Sequence, residues 1–141
     1  MKVNILGTPY EIIVDKSGYL EKNNADGMDK NYSKTILVRD LDGYLDSDAT
    51  IDEKEARRKE TLRHEIIHAF FSESGLKGFY NDELLVEWLA VQFPKMLDVF
   101  IETRSLEHPV ERLSKAVKHF TENTSFKTSG GDTNAESEKQ M

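Results

Sequence analysis

The stretch Leu62-Arg63-His64-Glu65-Ile66-Ile67-His68-Ala69-Phe70-Phe71 constrains this chain more than any other part of it. Upstream, Thr50-Ile51-Asp52-Glu53 has the form of a capping box, in which a Thr hydroxyl and a Glu carboxylate satisfy the first amides of a helix. The helix so opened is predicted to run to about Glu73. Its first half is charged. In its second half Leu62, Ile66, Ile67, Ala69, Phe70 and Phe71 leave hardly any polar face, so that half is expected to be enclosed by protein. Polar side chains inside it, namely His64, Glu65 and His68, need a chemical reason to be there.

His64 and His68 are four residues apart, so a helix puts both imidazoles on one side, where two ring nitrogens can converge on one tetrahedral ion. Glu65 points about 100° away from His64 and is placed to hold a water at the same ion, which is the position of a base rather than a ligand. The sequence has no cysteine, so disulfides, thiolate metal sites and thiol nucleophiles are excluded. A transition metal would have to be held by His and carboxylate. A catalytic zinc takes three protein ligands and keeps one position for water, so a third donor is expected from a neighbouring element. The next helix offers Asp82, Glu83 and Glu87; Glu83 and Glu87 share a face, and helix geometry does not choose between them. The competing reading, two core histidines satisfied by backbone carbonyls or by Glu65, requires buried partners for both rings.

The rest of the sequence predicts an α+β chain. Val3-Asn4-Ile5-Leu6 and Tyr10-Glu11-Ile12-Ile13-Val14 are β-rich runs joined through Gly7-Thr8-Pro9 into an N-terminal hairpin, and Thr35-Ile36-Leu37-Val38 is a third strand. Residues 15–31 and 39–50 read as polar loops. Gly75 and Gly78 end the motif helix and make a turn, after which Asn81 or Asp82 caps a second helix from Glu83 to about Gln92. Pro94 marks a kink or restart, with Lys95 to Arg104 and Pro109 to Phe120 as further helical pieces. On this reading residues 1–122 form a single domain, and residues 123–141, with almost nothing apolar, a disordered tail. Trp88 is expected in the core, and His108 and His119 at the surface. Tyr80 and Tyr32 could donate a hydrogen bond to an oxyanion, although a structural role is the ordinary expectation for each.

Charge narrows the partners. Against 26 acidic residues the chain has 19 Lys and Arg, a formal net charge of -7, which disfavours a direct grip on nucleic acid. Its basic cluster, Arg57-Arg58-Lys59, has glutamates close on both sides and reads as a solvated helix face. No apolar run approaches the roughly 20 residues of a membrane span, and the N-terminus lacks the plan of a signal peptide. A soluble, cytoplasmic protein without nucleic-acid or membrane partners is expected.

At the motif residues the chain resembles the ImmA/IrrE family of zinc metallopeptidases, small gluzincin-type proteins often encoded by phages and mobile elements. That family pairs H-E-x-x-H with a downstream E-x-x-A-N-x-F-A and a following proline. Here His64-Glu65-Ile66-Ile67-His68 is followed by Glu83-Leu84-Leu85-Val86-Glu87-Trp88-Leu89-Ala90 and then Pro94. The register makes Glu83 the third ligand; Val86, Glu87 and Leu89 stand where the family has Ala, Asn and Phe. The resemblance spans about residues 35–95. It implies a zincin-like fold: a small twisted sheet of about three strands packed on the HExxH helix, followed by further helices, with an edge strand beside the cleft. Thr35 to Val38 is nominated as that edge. The activity implied is that of a zinc-dependent endopeptidase acting on a protein or peptide, with Zn2+ on His64, His68 and Glu83, and Glu65 as general base. The alternative is a non-catalytic, metal-containing regulatory module that binds a repressor or other phage protein. A site closed by four protein ligands would mark that alternative, and an open position would mark the enzyme.

Overall fold

The computed structural model describes residues 1–43 and 48–106; the helical piece expected at 109–120, His108, His119 and the tail from residue 123 lie outside them. The chain divides into two compact units, Met1–Val99 and Phe100–Met141, and the first contains the sheet and every residue of the candidate site. In the second, Arg104 takes left-handed backbone (φ 54°) just after the last helix, and the Ser105 amide bonds the Phe100 carbonyl.

The architecture is α+β. Strands β1 (Lys2–Ile5) and β2 (Thr8–Asp15) precede a short helix α1 (Tyr19–Lys22), and strands β3 (Gly27–Lys30) and β4 (Thr35–Arg39) follow. A 3-10 turn (Leu41–Gly43) comes next, then helices α2 (Ile51–Glu73), α3 (Lys77–Tyr80) and α4 (Glu83–Glu102). The sheet is mixed, in the order β1-β2-β4-β3, with β2 and β4 parallel and the other pairs antiparallel. Among the described residues no helix is long and apolar enough to cross a membrane.

The expected hairpin is present, but its turn is Leu6-Gly7. Ile5 pairs with Thr8, and the two residues between them have φ of 50° and 93°. Two successive left-handed residues match the twist of the strands they join. Pro9 therefore belongs to β2. It loses no ladder bond to β4, because that pairing begins only at Glu11.

Four strands form the sheet, not about three. The region expected to be loop contains both α1, anchored by fully buried Leu20, and β3. Gly-Met-Asp-Lys has little intrinsic strand preference, so β3 owes its conformation to pairing with β4 and to the helix lying against it. This changes the assignment of the edge: Thr35 to Val38 lies inside the sheet between β2 and β3, and β3 is the edge strand.

One sheet face packs on α2. Alternation brings Val3 and Ile5, Tyr10 and Ile12, and Ile36 and Val38 to the same side, where they meet Leu62, Ile66 and Ala69. The capping box that opens α2 forms as expected, with the Glu53 amide on Thr50 Oγ1 at 3.2 Å and the Thr50 amide on Glu53 Oε2 at 2.8 Å. At the far end, Glu73 ties the helix to the sheet by accepting from Thr8 Oγ1 (2.6 Å), Tyr10 OH (2.8 Å) and Lys34 Nζ. The Lys34, Thr8 and Tyr10 hydrogen bonds hold the Glu73 carboxyl down at about 2, from an ordinary 4.5. A depressed carboxyl pKa stabilises the fold above the unfolded value and is lost as pH falls toward the folded one. We therefore expect Glu73→Gln to lower the thermal midpoint at pH 7, and the gap from wild type to close between about pH 4.5 and 2. A gap of constant size across that range in a thermal melt series would contradict the assignment.

Three further expectations need correction. Helix α4 does not stop near Gln92 and restart; it runs through Pro94 to Glu102. Proline removes the amide that would bond the Ala90 carbonyl, and that carbonyl instead accepts from Arg63 Nε at 2.7 Å. Trp88 is 53% exposed rather than in the core. Val86 and Ala90 take the buried side of α4, and Trp88 lies about 200° around the helix from each. Enclosure of the second half of α2 is partial: Phe70 is 43% exposed, beside an apolar groove of about 520 Å³ that includes Ile66, Ile67, Leu89, Phe93 and Leu97.

Candidate metal centre

Helix α2 sets His64 and His68 one turn apart, with ring centroids separated by 4.7 Å. Gly75, at φ 76°, supplies the left-handed residue just past the end of α2, and α3 follows. Asp82 then caps α4, its Oδ1 accepting from the Leu85 amide at 3.1 Å. Glu83 is thereby the first residue of α4 and faces the histidine pair.

Three donor atoms converge. His64 Nε2 lies 3.0 Å from His68 Nε2 and 3.1 Å from Glu83 Oε2, and His68 Nε2 lies 3.5 Å from the same oxygen. Ligands held at ~2.0–2.1 Å by a tetrahedral zinc stand roughly 3.3–3.4 Å apart, so the triangle is the size that such an ion requires.

The other ring nitrogens explain why these atoms face one another. His68 Nδ1 lies 2.8 Å from the Tyr80 carbonyl, and His64 Nδ1 lies 3.1 Å from Glu87 Oε2. Both partners only accept, so each Nδ1 can donate to its partner, while His64 Nε2 faces a second carboxylate oxygen, that of Glu83. Two ring nitrogens and a carboxylate oxygen this close attract only with a proton or a cation between them. A proton satisfies one of the three contacts, whereas a cation satisfies all three. Burial holds the His68 imidazole below its ordinary pKa, which favours the neutral form a metal ligand needs. The core-histidine reading accounts for both Nδ1 atoms and, with a hydrogen on His64 Nε2, for its contact with Glu83, whereas a cation accounts for all three contacts at once. His64, His68 and Glu83 form a group that could hold a metal ion.

Glu83 and Glu87, which helix geometry left as alternatives, meet different atoms of one ring. Glu83 approaches Nε2 of His64, and Glu87 approaches Nδ1. Such an outer partner fixes the tautomer and orientation of a ligating imidazole.

Glu65 lies to one side of this triangle, 7% exposed and packed against β3. Burial pushes its carboxyl up to about 7, with the Asp29 and Glu83 carboxylates adding to the rise and the Asp29 amide and His64 opposing it. Asp29 is itself raised to about 6, chiefly by burial, with the Lys34 charge and a side-chain hydrogen bond with Tyr80 opposing the rise. Tyr80 also faces the site: its ring centroid is 5.0 Å from that of His68, and burial followed by the Asp29 charge raises its phenol. Tyr32, at 99% exposure, is remote from any such role.

These groups line one cleft of about 400 Å³, bounded by β3, α2 and the start of α4. Arg57, expected on a solvated face, stands at the cleft wall, where it pairs with Asp26 at 3.2 Å and Glu60 at 3.3 Å. Sequence reasoning did not find Gly27, Asp29 or the Tyr80 carbonyl as parts of the site. Nothing in the local sequence marks them, because each acts through a contact made only in the folded chain.

Comparison with family models, with curated proteins and with solved structures gave no match.

Proposed function

We propose that the chain is a zinc-dependent peptide hydrolase of the ImmA/IrrE type, with a zincin-like fold and a protein or peptide as substrate. The observation that carries the reading is the triangle of two imidazole nitrogens and one carboxylate oxygen, with a buried, proton-accepting carboxyl beside it.

In this reading His64 and His68 bind the ion through Nε2 and Glu83 through Oε2, while Glu87 and the Tyr80 carbonyl hold the two rings in place. A zinc ion bound there supplies Lewis acidity toward a carbonyl and makes water a nucleophile near neutral pH. Glu65 accepts the proton of the attacking water and delivers it to the leaving amine, which suits a carboxyl poised near neutrality. Tyr80 is the nearby hydroxyl that can donate to the developing oxyanion. Strand β3, the sheet edge on the cleft side, offers main-chain groups to an extended peptide, so that the scissile bond is held with little dependence on side chains.

The regulatory-module reading calls for a fourth protein ligand. Three donors converge among the described residues, which supports the enzyme.

Zinc-loaded protein incubated with denatured casein should yield fragments with new amino termini, lose that activity on chelation and regain it with zinc. Identical fragments from the chelated protein would contradict a metal-dependent hydrolysis. Their absence in every condition, for casein and for co-encoded regulatory proteins alike, would favour the non-catalytic module.

A further inference from the structure

Glycine at position 27 is not there for its backbone. Gly27 opens an ordinary strand and is not among the residues at positive φ. What the position forbids is a side chain: a Cβ there would stand 2.7 Å from Thr61 Cγ2, 2.8 Å from Glu65 Cγ and 2.9 Å from Glu65 Oε1, all shorter than the ordinary 3.4–4 Å contact range. Two of the three clashes are with Glu65. The third is with a β-branched residue that is itself buried, so it cannot swing aside.

The register of β3 supplies the second half of the device. The Arg39 amide bonds the Asp26 carbonyl, so alternation along the antiparallel pair turns the Met28 and Lys30 amides into the β4 ladder and leaves the Gly27 and Asp29 amides at the free edge of the sheet. From that position the Asp29 amide donates to the Glu65 carboxylate. Gly27 has no side chain, so the carboxyl can approach the strand, and the Asp29 amide at its free edge donates to it.

We propose that Gly27 is a positioning residue that seats Glu65, acting together with the Asp29 amide. The inference rests on the reading of Glu65 as the base for its catalytic consequence, but the seat itself is a geometric claim. Any side chain at position 27 displaces the carboxyl from the strand edge while leaving the His64, His68 and Glu83 donors in place, since none of them touches the position.

The test compares wild type, Gly27→Ala, Gly27→Ala/Thr61→Ala and Glu65→Ala by zinc content, thermal midpoint, the Asp29 amide resonance in a 15N–1H spectrum, and turnover of denatured casein. Gly27→Ala should keep its zinc and move the Asp29 resonance toward its position in Glu65→Ala. It should also lower kcat about a hundredfold with little change in KM, as misplacement of a reacting group by about an ångström does. Adding Thr61→Ala should recover thermal midpoint but neither the resonance nor turnover, because the contact with Glu65 Cγ remains. The double variant also covers the case in which Gly27→Ala alone fails to fold. An Asp29 resonance that stays at its wild-type position in either alanine variant would overturn the proposal, as would full recovery of turnover in the double variant. Should the wild type hydrolyse nothing, the resonance alone decides, so failure of the seat and failure of the peptidase reading remain distinguishable.

Discussion

Glu65→Gln should retain its zinc and lose about a thousandfold or more of its peptide hydrolysis, the upper range for removal of a general base. Glutamine has the size and shape of glutamate, so the close packing against Gly27 and Thr61 survives the change. What disappears is the ability to take a proton from water and return it to the leaving amine. His64, His68 and Glu83 do not depend on Glu65 for their geometry, because their orienting partners are Glu87 and the Tyr80 carbonyl. Metal content and turnover are therefore expected to separate cleanly in this variant. Zinc measured by plasma emission alongside a casein assay gives both quantities from one preparation. Hydrolysis at near wild-type rate would remove Glu65 from the role of base.

The second large effect concerns the ion and the fold together. A ligand that binds only the folded state stabilises it by RT ln(1 + [L]/Kd), about 4 kcal/mol at a thousandfold excess over Kd. The donors here come from two separate helices, α2 and α4, which the unfolded chain does not bring together. Added zinc should therefore raise the thermal midpoint of the metal-free protein, with each tenfold increase of free zinc above Kd adding about 1.4 kcal/mol. The rise should persist in Glu65→Gln and vanish in His68→Ala. A midpoint indifferent to zinc in the wild type would mean that the triangle holds no such ion.

Elements whose cause is local could be read from the sequence. The capping box, the alternating runs of β1, β2 and β4, and the i, i+4 pair of histidines each declare themselves within a few residues, and each is present, although Leu6 belongs to the hairpin turn and Thr8 and Pro9 to β2. Strand β3 was not legible, since Gly27-Met28-Asp29-Lys30 carries turn-like residues and becomes a strand only by pairing with β4. Of the kink and the restart that Pro94 allows, the helix excludes the restart, and for a related reason: the side chain that satisfies the Ala90 carbonyl belongs to Arg63, 27 residues away in sequence. In the site, Glu87 was weighed as a ligand and stands instead against the other nitrogen of His64, a distinction of one ring position that spacing alone does not resolve. The strand at the sheet edge is β3 and not Thr35 to Val38, because residues 27–30, which read as loop in the sequence, extend the sheet by one strand.

Zinc affinity, measured by competition with a chromogenic chelator, tests the centre most directly when wild type, His68→Ala, Glu83→Gln and Glu87→Gln are compared. We expect one tightly held zinc in the wild type and no measurable binding in His68→Ala at the concentration that saturates the wild type. Glu87→Gln should weaken binding about 10- to 100-fold, as loss of an orienting partner does, and Glu83→Gln should weaken it further still. Equal affinities across the four proteins, or a larger loss in Glu87→Gln than in Glu83→Gln, would contradict the arrangement of ligands derived from the His64, His68 and Glu83 triangle.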